Sequence, residues 1–468
     1  MDTASSLVSA GRGWLQRRAL FFKLLGVGFL GLLLLVPLGM VHSTLRERRA
    51  RYHEALGAIT QTWGQSQRLL GPVLVVPYTY KTEMEEWVLS DGQRVRKTRI
   101  QENQVEAFFL PEQLVVEGEL EPSARSRGIY TAHVYAATLR MSGKFARPDF
   151  GFTGVQGVEP RWERARVCLA ISDLRGTREV LTLRWGAEAL PLQPGARLDG
   201  FTTGLHAPVA LAPTGGAVEF NLSLTLNGSD GFGVAPLGRD TRLRLTSPWP
   251  DPSFNGAYLP LRREVTPEGF EAEWQVSYYG RSFPQQWTNR AGEPQPAAQE
   301  FESSVFGVSL RPALDAYRVT ERAIKYGVLF IALVFTAFFL FEALSHVRLH
   351  ALNYLLVGAA LCLFFLGLLA LSEVMWFGAA YALAAATSTL LIGLYSRRVL
   401  RDGRRALAAT ALLGGVYAYL FFVLRMEDFS LLAGTAALFA MLAALMYATR
   451  HLRAGDEATP VGAAEEEA

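Results

Sequence analysis

The apolar residues of this chain are gathered into six runs, one near the start and five near the end, each on the scale of a membrane span. A run of about 18 or more apolar residues crosses a hydrocarbon core roughly 30 Å thick. The first run is 24–41, and the others are 326–341, 354–371, 374–395, 406–424 and 429–449. Residues between the first and second runs read as an ordinary soluble sequence. Overall composition hides this division, because 50% hydrophobic residues would suit a globular protein equally well.

The first run invites a second reading as a cleaved signal peptide. A signal core is shorter, about 7–15 residues, and ends at a small-residue cleavage site. Here His42-Ser43-Thr44-Leu45-Arg46 offers no such site, so the run reads as an uncleaved signal anchor. Orientation follows from Lys and Arg in the short loops. Arg397, Arg398, Arg401, Arg404 and Arg405 share one loop, Arg348 lies in another on the same side, and Arg450 and Arg453 follow the last run. The alternate loops hold Glu373, and Arg425 beside Glu427 and Asp428. Both termini are therefore expected in the cytoplasm, with residues 1–23 and 450–468 there and 42–320 outside. Arg46, Arg48, Arg49 and Arg51 pull the other way, matching Arg12, Arg17, Arg18 and Lys23 before the first run.

Leu45, Tyr52, Leu56, Ile59 and Trp63 recur at steps of seven, four, three and four, one face of a helix. An amphipathic stalk over 42–70 is expected, ended by Gly71-Pro72. A β-rich domain over 71–320 follows. In 217–226 apolar and polar residues alternate, as do Phe270, Ala272, Trp274, Val276 and Tyr278 with the residues between them. Further strands are read at 73–80, 105–110, 129–145, 167–171, 180–185, 241–246 and 305–310. Without helical crossovers between them, they are expected to form antiparallel sheets packed as a sandwich or open barrel, with a division into two lobes near 151–160. The small, acidic tail from Gly455 reads as disordered. The two cysteines, Cys168 and Cys362, fall in the soluble middle and in an apolar run, so no disulfide is expected.

Sites of known chemistry are scarce. The chain has no G-x-S-x-G, H-E-x-x-H or P-loop pattern. Gly228, Gly231, Gly233 and Gly238 lack the Lys-Ser/Thr of a phosphate cradle and read as a wide β turn. Glu342, His346 and His350, spaced by four, could ligate a metal from one helix face, but read as a polar collar where a helix leaves the membrane. No metal or cofactor site is assigned. A net charge of +3 without a basic, aromatic-studded tract excludes nucleic acid as the expected partner. The run interiors hold hydroxyls such as Thr336, Thr387, Ser388, Thr389 and Thr435 but no ionisable residue, and the five later runs hold no Pro. Ion-coupled transporters need both ionisable groups and broken helices at depth. The bundle therefore reads as an anchor or docking surface, its hydroxyls bonded to their own helices. Trp249, Asp251 and Phe254 lie in a Pro-rich stretch that would hold aromatics in a rigid loop, and they are the candidates for contact with a partner. The competing reading is that both aromatics plug the core.

Several strings resemble the CreD family of bacterial inner-membrane proteins. They include Leu70-Gly71-Pro72-Val73-Leu74-Val75-Val76-Pro77, Arg127-Gly128-Ile129-Tyr130, Thr246-Ser247-Pro248-Trp249-Pro250-Asp251-Pro252-Ser253-Phe254 and Tyr258-Leu259-Pro260. Glu321-Arg322-Ala323-Ile324-Lys325-Tyr326 and the stretch from Asn353-Tyr354-Leu355-Leu356-Val357-Gly358 through Leu371-Ser372-Glu373 continue the match. The last two runs match only in hydropathy, and the first dozen residues look like an extension. The resemblance implies an inner-membrane location with a periplasmic domain, and a role in envelope integrity and colicin tolerance tied to a sensor-kinase stress regulon. It also implies histidines where this chain has Asp251 and Val374, and it transfers no active site. On this reading the chain is a non-enzymatic envelope protein. Its partners are the lipid bilayer and an envelope protein, glycan or lipid. A membrane-embedded lipid or glycan handler is the alternative, and an enzyme of undescribed type stands third.

Overall fold

The computed structural model describes residues 19–90, 93–177, 179–311, 316–345, 350–400, 402–426 and 429–449. It divides into two compact units, one of residues 1–52 and 314–468, the other of residues 53–313. The tail from Gly455, the first dozen residues and His346 lie outside the described residues.

Helix α1, Ala19–Trp63, carries the first apolar run and continues beyond it without a break. It stops seven residues before the Gly71-Pro72 expected to end it. At Gly64 a side chain would collide with the Asn227 carbonyl, 2.4 Å from its Cβ, so the helix ends where only glycine passes. Pro72 instead falls inside strand β1, Gln67–Ser90, where the pairing register shifts between Leu70 and Val73. A bulge is where a strand tolerates proline.

In the unit of residues 53–313, β1 pairs with β2, Gln93–Phe109, and the chain continues into the hairpin of β3, Gln113–Arg127, and β4, Tyr130–Phe145. Among the described residues there are two sheets. The first, of ten strands, runs from Ser253–Gly256 through Phe306–Ser309, Gly231–Val234 and β1 to Arg166–Ile171 and Gly204–Pro208. The second, of eight strands, runs from Arg262–Thr266 through Gly269–Ser277, Asp240–Ser247, β3, β4 and Val218–Ser229 to Thr182–Trp185 and Glu188–Pro191. Their inward faces contribute to one apolar core. Alternation places residues as expected: Phe270, Ala272, Trp274 and Val276 are buried, as are Phe220, Leu222, Leu224 and Leu226.

Three expectations for this unit are corrected. The sheets are mixed, because β1 runs parallel to Gly231–Val234 and β3 parallel to Asp240–Ser247. Parallel neighbours need a long crossover, and here strands of both sheets supply it in place of helices. The chain changes sheets at Asp230, whose positive φ of 63° turns Val218–Ser229 into Gly231–Val234, so the glycine-rich stretch is strand on both sides of one sharp corner. No division falls near 151–160, since β1 pairs with β2 on one side and with Arg166–Ile171 on the other. A six-residue helix α2, Ala298–Ser303, precedes the strand Phe306–Ser309.

The other unit is helical: α3, Ala316–Lys325; α4, Gly327–Ser345; α5, Ala351–Ser372; α6, Phe377–Leu400; α7, Gly403–Arg425; and α8, Ser430–Thr449. Among the described residues four helices are long and apolar enough to span a membrane: α1, α5, α6 and α7. The pair α3 and α4, bent by 46°, makes up to five, and a shorter apolar segment, Leu432–Ala444, lies in α8. The interior is aromatic, with Phe330 and Phe364 packed 4.9 and 4.7 Å from the Tyr417 ring. Its hydroxyls do not all bond to their own helices. Thr387 does, to the Leu383 carbonyl. Ser388 instead donates to the Ala360 carbonyl of α5 and accepts from Tyr417 at 2.7 Å, while Tyr381 donates to the Tyr417 carbonyl. Close packing turns these hydroxyls into ties between α5, α6 and α7.

Candidate functional site

The loop singled out by sequence is built from the strand end at Ser247. Trp249 donates its backbone N–H to the Ser247 hydroxyl and its indole N–H to the Asp251 carbonyl at 2.9 Å. The indole is half-buried and meets the His133 ring edge-on at 5.1 Å. Phe254 sits in Ser253–Gly256, paired with Phe306–Ser309, and its ring stands edge-on to Phe270 and Trp274, each 5.7 Å away. Both aromatics therefore pack on the core, and of the three candidates Asp251 alone turns its side chain to solvent. Val374, the other departure from the CreD pattern, is exposed in the turn between α5 and α6.

A different surface is more open. In β1 and β2 every residue at 81–87 and 96–102 is exposed, so both faces of this two-stranded ribbon stand free. Strand pairing persists throughout, with Lys81 opposite Glu102, Glu86 opposite Lys97 and Trp87 opposite Arg96. An ion pair between Glu85 and Arg96 crosses it diagonally. Met84, Trp87 and Ile100 are 55%, 66% and 64% exposed. An isolated two-stranded ribbon is marginal in water, and an exposed tryptophan among mixed charges is the composition of a contact surface. Sequence reasoning missed it. The available signal was Asp91-Gly92, a hairpin dipeptide, but its charged flanks lack the alternation that marks a strand.

Groups with chemical potential are otherwise occupied. Burial raises the Cys168 thiol to about 11 against the pull of Arg166, so it stays protonated at neutral pH. Arg166 is itself held by both carboxylate oxygens of Glu106 at 2.8 and 2.7 Å. His206, opposite Cys168, points Nδ1 to the Gly195 carbonyl. Of the collar residues, Glu342 accepts from Tyr354 at 2.9 Å, and His350 caps α5 by accepting from the Leu352 N–H. Among the described residues no group of three His, Cys, Asp or Glu could hold a metal ion.

Past the apolar run of α1 the arginines that follow it have acidic partners. Arg49 pairs with Glu321 of α3 at 2.7 Å, Arg48 with Glu373 at 3.7 Å, and Arg51 with Glu47 on its own helix. Tyr317 donates to Glu373 and its ring meets Tyr52 at 5.2 Å. The start of α3–α4, the α5–α6 turn and this part of α1 thus lie at one level, and carboxylates offset the basic cluster.

Two comparisons with known proteins place this chain among inner membrane proteins. A family model described as Inner membrane protein CreD matches residues 19–454. The protein named Inner membrane protein CreD from Escherichia coli (strain K12) is 32% identical over 439 residues, covering 92% of this chain and 93% of that protein. The chain belongs to the CreD family of inner membrane proteins.

Proposed function

We propose that this protein supports the integrity of the bacterial cell envelope by binding or bracing an envelope component, without catalysing a reaction, and that its activity is tied to an envelope-stress response. In this reading six spans hold it in the inner membrane: the apolar part of α1, the bent pair α3–α4, and α5, α6, α7 and α8. Both termini lie in the cytoplasm and residues 53–313 in the periplasm. Arginines between α6 and α7 support that orientation.

The observation that carries the binding role is the ribbon, where Trp87, Met84 and Ile100 stay exposed on a two-stranded element with no packed face. A photoreactive amino acid placed at Trp87 and activated in living cells should capture one defined envelope component. The same group at Val180, more exposed still and elsewhere on this unit, should not. Capture at neither position, or the same mixture at both, would sink the proposal.

A further inference from the structure

Beside the first sheet lies a small cavity of about 40 Å³, walled in part by the rings of Phe108, Phe201, Trp287 and Phe301. Separate elements bring these rings together. Phe108 belongs to β2, Trp287 to the strand Gln286–Thr288 paired with it, and Phe301 to α2. The Trp287 ring stacks on Phe108 at 5.2 Å and meets Phe301 at 5.7 Å, while Phe201 stands edge-on to Phe301 at 6.3 Å. Asp199 and Gln295 are the two polar residues of the lining, and both reach solvent. Asp199 sits in a tight turn closed by the Phe201 N–H on the Leu198 carbonyl at 3.1 Å. Arg197 enters that turn at a φ of 52°, which few residues with a side chain adopt. Gly200 follows at 83°, where an added Cβ would lie 2.7 Å from that of Ala298. The turn is thus wedged against α2. Among the described residues no cation pairs with Asp199.

We infer that this cavity binds the ammonium end of an alkylamine, carried on a free amine or on a lipid headgroup. Size sets the first limit. A water-sized group needs about 10–15 Å³ by the same measure, so an end group of about three heavy atoms fits and a sugar ring does not. Charge sets the second. An anion would face an unpaired carboxylate and the negative faces of the rings. An apolar group would take water from that carboxylate and return no partner. A cation is attracted by both the carboxylate and the ring faces. The backbone supports the same occupant, because a residue held in a sparsely populated conformation is characteristic of ligand clamps. A carboxylate already set in place also loses little freedom on binding. The site uses none of the exposed ribbon residues, so it stands apart from the binding role proposed for them.

The test uses the full chain in detergent, with ethylammonium as the probe and saturation-transfer NMR of its methylene protons as the readout. Wild type should bind it saturably, and ethanol, its neutral counterpart, should give no such signal. Asp199→Asn should weaken binding about tenfold, the effect of losing a charge-assisted hydrogen bond. Gln295→Glu should strengthen it about threefold, as an added surface ion pair would. Because these two changes act in opposite directions, loss of folding cannot imitate the pair. Glu188→Gln, an exposed acid outside the lining, should leave binding unchanged. Competition then identifies the source. Displacement by phosphoethanolamine points to a lipid headgroup, and displacement by 1,5-diaminopentane alone to a free amine. Equal binding by wild type and Asp199→Asn would overturn the inference. So would equal signals from ethanol and ethylammonium, or no saturable binding at all, which would leave water as the occupant.

Discussion

Asp173 shows how much one side chain can organise. Its carboxylate accepts from the Gln65 N–H at 3.1 Å and from Arg175, whose guanidinium reaches the Gln61 carbonyl in the last turn of α1. A cation on a helix's last carbonyls satisfies groups the helix cannot. Burial by itself would raise the Asp173 carboxyl, but the hydrogen bonds from Arg175 and Gln65 outweigh it and hold the group below its ordinary value of 3.8. A carboxylate depressed on folding stabilises the native state above its unfolded pKa, and the benefit disappears as pH falls through the folded value. Asp173→Asn should therefore cost about 2 kcal/mol at pH 7, and the gap from wild type should close below pH 3.8. Chemical unfolding across that range checks it, and a gap independent of pH would contradict the assignment. The sequence candidates separate at the same scale. Phe254→Ala should cost about 2 kcal/mol, under the value for a fully buried ring, and lower the protein's abundance. Asp251→Ala, at an exposed position, should leave stability within about 0.5 kcal/mol. A loss of envelope function in that variant would mark the loop as a contact, and full function would leave it a core plug alone.

At the scale of elements the outer ribbon and the end of α1 behave oppositely. Leu56, Ile59 and Trp63 pack against Ala132 and Val134 of β4, the Trp63 indole donates to the Tyr135 carbonyl, and the Arg125 guanidinium lies 4.3 Å from the Trp63 ring. Three residues of the face read from spacing are therefore fixed to the sheet. The ribbon has no such packing, and its pairing beyond residue 80 supports only itself. Because Lys81 stands directly opposite Glu102, a two-residue Asn-Gly turn can join them in register. Replacing residues 82–101 with that turn should change unfolding stability by no more than about 1 kcal/mol, since the removed residues bury little. It should abolish the envelope phenotype. Retained function in a stable, shortened protein would show that the ribbon binds nothing required.

For the whole molecule, the side of the membrane occupied by residues 53–313 decides which partners are reachable. An alkaline phosphatase fusion at Gly200 should be active and one at Gly403 inactive, because the loop holding Arg397, Arg398, Arg404 and Arg405 should be retained in the cytoplasm. The opposite pattern would place the β-rich unit inside the cell and end the envelope proposal.

Sequence alone determined where the apolar runs lie and which strand residues turn inward, because hydrophobic length and the two-residue period are local properties. It also carried the family, through strings such as 246–254 and 353–358. Pairing direction lay beyond it: whether Asp240–Ser247 meets β3 or a sequential neighbour depends on contacts more than a hundred residues apart. The same holds for Arg48 and Glu373, far apart in sequence and paired only by folding. Trp249 and Phe254 could be read from sequence as core plugs or as surface contacts, since an aromatic ring is apolar in either setting. Only the tertiary structure put Phe254 against Trp274 and left Trp87, unremarkable in its charged strand, with its ring in solvent. Burial is a property of what folds over a residue, and no local pattern encodes it.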